Sequence, residues 1–198
     1  TGLGVGIRDA EGSNARRIVK DRGLATHLSV WGDDRVVFTT DREGAPHVWQ
    51  VALDGSDLRQ IVNLPRGESN TACSRDGRHI VFVGYEGRRL LRVGPNGPEP
   101  LDGGRHASAS PSISPDNRWI AYNRIDPDGN AAHPVVIPIT GNAPPIQFEF
   151  APGSQQARQL AWRADSSAIT YVQSSNGVGN LWMQPLAGGS PKKLTQFT

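Results

Sequence analysis

The side chains of this chain that could do chemistry are few and scattered. Five histidines stand at positions 27, 47, 79, 106 and 133, and no two have the short spacing at which neighbouring residues share a metal ion. His27 and His106 precede one class of apolar run, and His47 and His133 lie beside another, so these four are expected on one face without converging on an ion. The segment "DPDGN" (126–130) resembles the start of a calcium loop, in which alternate oxygens surround a hard cation. The place of the closing bidentate Glu is taken by Ile137, so the segment reads as a long hairpin turn. Cys73 is the single cysteine; it lies beside Ala72 in an apolar stretch and reads as a small core residue. The chain contains no Gly-x-Ser-x-Gly elbow, no His-Glu-x-x-His pair and no phosphate-cradling glycine loop. The expectation is a chain with no catalytic residues, no metal and no cofactor.

Charge narrows the classes further. Twenty-one basic and nineteen acidic residues leave a net charge of +2. The one short basic stretch, Arg16, Arg17, Lys20 and Arg22, reads as a solvated strand edge. Nucleic-acid binders carry a sustained basic stripe, so that class is not expected. No apolar run approaches the roughly 20 residues of a membrane helix, and membrane insertion is not expected either.

What must position any functional residue is a repeat. "SPDNRWIAY" (114–122) superposes without gaps on "SRDGRHIVF" (74–82) and "RADSSAITY" (163–171), and "WGDDRVVF" (31–38) fits with a turn one residue shorter. A second signature follows each copy: "VWQVALDG" (48–55), "LLRVGPNG" (90–97), "VVIPITG" (135–141) and "LWMQPLAGG" (181–189). Its closing glycines, 55, 97, 141 and 188, are 42, 44 and 47 residues apart, and Gly12 lies 43 residues ahead of the first.

Each unit reads as four short strands rich in β-branched and aromatic residues and bounded by Gly, Asn, Asp and Pro. The first strands are "HLSVW", "TACS", "PSIS" and "QLAW", and the second end at Phe38, Phe82, Tyr122 and Tyr171. Four-stranded units of this length predict an all-β fold, a β-propeller. A partial blade at 1–20 precedes four blades at about 24–62, 68–101, 106–148 and 155–195, forming one propeller domain or a fragment of one. Asp76, Asp116 and Asp165 head the turns between first and second strands. Their carboxylates are expected to bond the backbone two residues on, with Gly77, Asn117 and, less comfortably, Ser166 in the left-handed conformation. Phe38, Phe82, Tyr122, Tyr171, Trp49 and Trp182 are expected to be buried between blades.

The pattern Ser-Pro-Asp-Gly-Arg-x-Ile-Ala-Phe, followed by an apolar strand, Asp-Gly-Gly and Leu-Thr, resembles the TolB-like, WD-like propeller repeat family. Residues 114–122 and 181–195 carry the resemblance best; Asn117 and Ser166 in place of Gly, and the long loop "RIDPDGNAAHP", depart from it. The resemblance implies a bacterial, periplasmic or extracytoplasmic protein and a scaffold that binds proteins. Four and a half blades leave two accounts open: a piece of a larger propeller, or a ring whose incomplete blade edge is covered by a second chain, giving self-association.

In a propeller the loops joining strands two and three share a face with the interblade loops. Here the former are "DREGAP", "GYEGRR", "RIDPDGNAAHP" and "SSNGVGN", which differ in length and chemistry while the strands keep their pattern. Contacts with a protein or peptide partner are expected on that face, at Tyr85, Arg88, Asp126 and His133 of these loops and at Arg105 of the interblade loop "DGGRHASASP". Solvated turns are the plain alternative. Two function classes remain: a non-catalytic binding module, and an accessory propeller of a serine peptidase or other enzyme whose catalytic domain lies outside this chain.

Overall fold

The structure, a computed structural model, describes residues 4–20, 23–101, 107–127, 132–141, 144–148 and 155–198. Its elements are strands and one 3-10 turn, Glu86–Arg88. A two-stranded sheet, β1 (Gly6–Ile7) and β2 (Arg16–Arg17), comes first. The second sheet is β3 (Ala25–Trp31), β4 (Arg35–Thr40), β5 (His47–Ala52) and β6 (Arg59–Gln60). The third is β7 (Glu68–Cys73), β8 (Ile80–Gly84), β9 (Arg89–Gly94) and β10 (Gly97–Pro100). The fourth is β11 (Ala107–Ile113), β12 (Trp119–Ile125), β13 (Ala132–Pro138) and β14 (Ile146–Gln147). The last is β15 (Gln155–Trp162), β16 (Ala168–Ser175), β17 (Val178–Pro185) and β18 (Lys192–Lys193). Four four-stranded antiparallel blades therefore follow one partial blade.

The local chemistry read from the repeats produces the hairpins. Asp76 Oδ1 accepts from the Arg78 N–H at 3.1 Å, Asp116 Oδ1 from Arg118 at 3.1 Å, and Asp165 Oδ1 from Ser167 at 3.0 Å. Gly77, Asn117 and Ser166 follow at φ 72°, 57° and 59°. Ser166 has a compensation: its Oγ accepts the backbone N–H of Asp116 at 3.0 Å, tying the turns of the last two blades together. The glycine register holds too, with Gly12, Gly55, Gly97, Gly141 and Gly188 all at positive φ between 72° and 115°.

The first strands are longer than the sequence pattern suggests: β3 starts at Ala25, so His27 lies inside it rather than at its head. Register shifts explain the error. They fall between Thr26 and Ser29, Ser69 and Ala72, and Ala109 and Ser112, with His27, Asn70 and Ser110 at φ 50°, 54° and 52°. A bulge puts two residues opposite one, and that breaks the alternation by which a strand is recognised.

The chain divides into two compact units, Thr1–Glu86 with Leu91–Glu99, and Gly87–Leu90 with Pro100–Thr198. In the first unit alternate residues of β4 face opposite ways, as the pleat requires. Val36 and Phe38 pack with Val5, Val19, Trp49 and Val51. Val37 turns to the other side and packs with Val48, Val62, Ile80 and Phe82. In the second unit Ala121, Val136 and Ile169 form one core cluster, flanked by Trp119, Leu160 and Trp162. Phe38, Phe82, Tyr122, Tyr171 and Trp49 are buried as expected. Trp182 is not: it is half-buried. Its cross-strand neighbour on β18 is the exposed Lys193, whereas Trp49 lies beneath the Arg42 guanidinium, 4.7 Å from its ring centre, and against Val5 and Val19.

Candidate partner-binding loops

In the first unit the loop between β4 and β5 is held at both shoulders. Asp41 Oδ1 accepts the Leu24 N–H at 2.8 Å, and the Asp41 carbonyl accepts from Gly44 at 2.9 Å. At the other shoulder the Pro46 carbonyl accepts the Glu68 N–H at 2.9 Å. The Glu68 side chain is fully buried. Its Oε1 accepts the Val48 N–H at 3.0 Å and lies 3.2 Å from His47 Nδ1, and its Oε2 accepts the Leu64 N–H at 3.1 Å. A buried carboxylate is tolerated only with such partners, so Glu68 welds the β4–β5 loop to the linker that precedes β7. Gly67 is required beside it. Its φ is 84°, and an added Cβ would stand 2.6 Å from the Pro46 carbonyl oxygen.

Glu68, His47 and Asp41 were not legible as a unit in the sequence. The only signal was an acid at the head of an otherwise hydroxyl- and apolar-rich stretch, "ESNTAC". The arrangement confirms, within this unit, that second-to-third-strand loops sit beside interblade segments.

Tyr85 closes β8 with its side chain 44% exposed, and its own N–H is bound to the Gly67 carbonyl at 3.0 Å. The neighbouring 3-10 turn carries Gly87 at φ 68° and Arg88 at φ 51°, with Arg88 exposed. In the second unit Asp126 Oδ2 and His133 Nε2 meet at 3.0 Å, both partly exposed; Asp126 lies just beyond the Ile125–Ala132 pair that ends the β12–β13 ladder, and His133 lies inside it, opposite Arg124. The structure thus brings Asp126 and His133 together. Arg105 lies outside the described residues, as do His106 and the tip of the long loop at Asp128.

The remaining chemical candidates have structural settings. Cys73 sits in β7, and burial pushes its thiol up to about 12, so the nucleophilic thiolate is disfavoured. Its N–H donates to Ser29 Oγ at 3.0 Å, and Thr71 Oγ1 donates to the His27 carbonyl at 2.6 Å, so β3 and β7 are stitched together. Among the described residues no three His, Cys, Asp or Glu side chains cluster as metal ligands.

No family model matches the chain. A stretch of 47 residues, 23% of the chain and 11% of the relative, is 45% identical to the Tol-Pal system protein TolB of Bordetella pertussis. The fold matches the crystal structure of TolB from Acinetobacter baumannii with a TM-score of 0.71 over 89% of this chain and 44% of that one, at 17% identity. The chain is a TolB-like β-propeller. The same propeller fold is found in a puromycin-hydrolyzing peptidase of Mycobacterium tuberculosis, with a TM-score of 0.68 over 88% of this chain and 31% of that one, at 19% identity. This TolB-like chain therefore spans less than half of the Acinetobacter protein and under a third of the peptidase. No helix among its described residues is long and apolar enough to cross a membrane.

Proposed function

We propose that this TolB-like propeller is a non-catalytic module of a larger bacterial protein that binds a protein or peptide through its second-to-third-strand and interblade loops. Tyr85 carries the reading. A large aromatic is presented to solvent from a backbone position fixed by its N–H bond to Gly67, and rigid exposed aromatics are what interface anchors are made of. Arg88, Arg105, Asp126 and His133 supply further contacts. With Glu86 beside the arginines, the partner is of mixed rather than strongly acidic character. The likeness to a Tol-Pal system protein favours a periplasmic setting.

Pull-down from a native lysate tests this. A Tyr85→Ala/Arg88→Ala chain and an Arg105→Ala/His133→Ala chain are each expected to lose a partner that the parent retains, and an Arg16→Ala/Arg17→Ala chain to keep it. Retention by both loop variants would refute the reading. The second reading, an accessory propeller of a hydrolase, is favoured by the likeness to the mycobacterial peptidase. It predicts amide-bond hydrolysis by the full-length gene product but not by this chain.

A further inference from the structure

Residues directly opposite each other on paired strands share a face, and their side chains start about 5 Å apart. Trp49 of β5 and Gln60 of β6 are such a pair. Trp49 is enclosed, only 7% exposed, and packs with Val5 and Val19. Its indole Nε1 and the Gln60 Nε2 are both buried, and neither has a hydrogen-bond partner among the described residues. The Arg42 guanidinium lies over the same indole, 4.7 Å from its ring centre. Two N–H donors and a positive charge therefore meet at one place.

Nearby carboxylates are engaged elsewhere. Asp41, next to Arg42 in the chain, accepts the Leu24 N–H at 2.8 Å through Oδ1. The two oxygens of Glu68 take the Val48 and Leu64 N–H groups. The repeat itself does not ask for donors here. Trp49 stands opposite Phe38, and the same place opposite Tyr122 in the fourth sheet is filled by Val135. In the last sheet Trp182 lies opposite Tyr171, but it is half-buried and faces the exposed Lys193 on β18. Nor is the place an open strand edge, because β5 is paired on both sides, with β4 and with β6.

We propose that Arg42, Trp49 and Gln60 form a binding site for a small oxyanion, a phosphate or carboxylate group. The indole and amide N–H groups each bond one of its oxygens, and Arg42 balances its charge. Buried N–H groups without acceptors are costly, and their bonds to a charged oxygen are stronger than to a neutral one. Water accepts such bonds too but gives the guanidinium no counter-charge, whereas an oxyanion does both. Arg42 and Gln60 are each partly exposed, so movement of these two side chains admits the anion from solvent.

Inorganic phosphate and acetate are the probes, each added to the full-length gene product against sodium chloride at equal ionic strength. Proton–nitrogen correlation NMR follows the indole and side-chain amide signals. Trp49→Phe, which keeps a ring and loses the N–H, assigns the Trp49 indole. Phosphate, acetate or both should move the Trp49 and Gln60 signals together, with saturation in the millimolar range. Saturation by phosphate alone assigns a phosphate group, and by acetate alone a carboxylate. Arg42→Gln should weaken that binding about tenfold or more. Gln60→Leu, read at the indole, and Trp49→Phe, read at the Gln60 amide, should weaken it as well. Shifts that never saturate, shifts that chloride reproduces, or undiminished binding by Arg42→Gln would overturn the proposal. So would an indole signal that Gln60→Leu displaces but neither anion moves, because the Gln60 carbonyl would then accept the indole N–H itself.

Discussion

Replacing Glu68 with Gln tests whether one buried carboxylate holds the β4–β5 loop. The carboxylate accepts two backbone N–H groups, Val48 through one oxygen and Leu64 through the other, and meets His47 beside the first. Gln keeps the shape but has one acceptor oxygen. Whichever way its amide turns, one buried N–H faces an NH2 group. Leaving a buried donor unsatisfied costs about 1–3 kcal/mol. For a chain of this size that lowers Tm by about 2–4 °C per kcal/mol, so Glu68→Gln is expected to lose roughly 5 °C. Glu68→Ala strands both amides and opens a cavity, and roughly 10 °C or more should go. Calorimetry measures both, and amide exchange adds the local readout: Val48 and Leu64 should lose protection ahead of the Ile80–Gly84 strand. A Glu68→Gln chain that melts with the parent and keeps Val48 protected would show that the carboxylate is not what fixes the loop.

Other outcomes follow from the same geometry. Phe82→Ala should cost about 3–5 kcal/mol in a denaturant titration, and Trp182→Ala distinctly less, because only the first side chain is fully enclosed. The Asp76 carboxyl is held below the ordinary carboxylate range chiefly by the Ser74 hydroxyl, and that of Asp165 by the Ser167 hydroxyl and N–H. A depressed carboxyl stabilises the fold at pH values above its unfolded pKa, near 4, and loses that contribution as pH falls further. Tm should therefore decline below about pH 4, and less steeply in Asp76→Asn/Asp165→Asn. The half-buried Cys73 thiol, pushed up to about 12, should react with a disulfide reagent at neutral pH far more slowly than an exposed thiol, and prompt stoichiometric reaction would contradict its raised pKa.

Sequence determined what depends on a few neighbouring residues. An Asp two positions before an N–H and a residue tolerant of positive φ make the same turn wherever they occur, so the hairpins at Asp76, Asp116 and Asp165 were legible. The glycine register from Gly12 to Gly188 counted the blades for the same reason. The burial of Phe38, Phe82, Tyr122 and Tyr171 followed from their equivalent places in the apolar-aromatic second-strand runs of the repeat. Of the candidate contacts, the loops could be placed, but the meeting of Asp126 with His133 could not. It depends on how far the β12–β13 ladder runs before the loop departs. Tertiary structure alone decided the rest. Glu68 looks like a surface acid until Val48, Leu64 and His47 converge on it from other segments. The bulges at His27, Asn70 and Ser110 erase the pattern that would reveal them. Trp49 and Trp182 occupy equivalent places in the repeat, yet the first is enclosed and the second half-exposed. Burial is set by what packs over a side chain, and repeats that are alike in sequence differ in their neighbours.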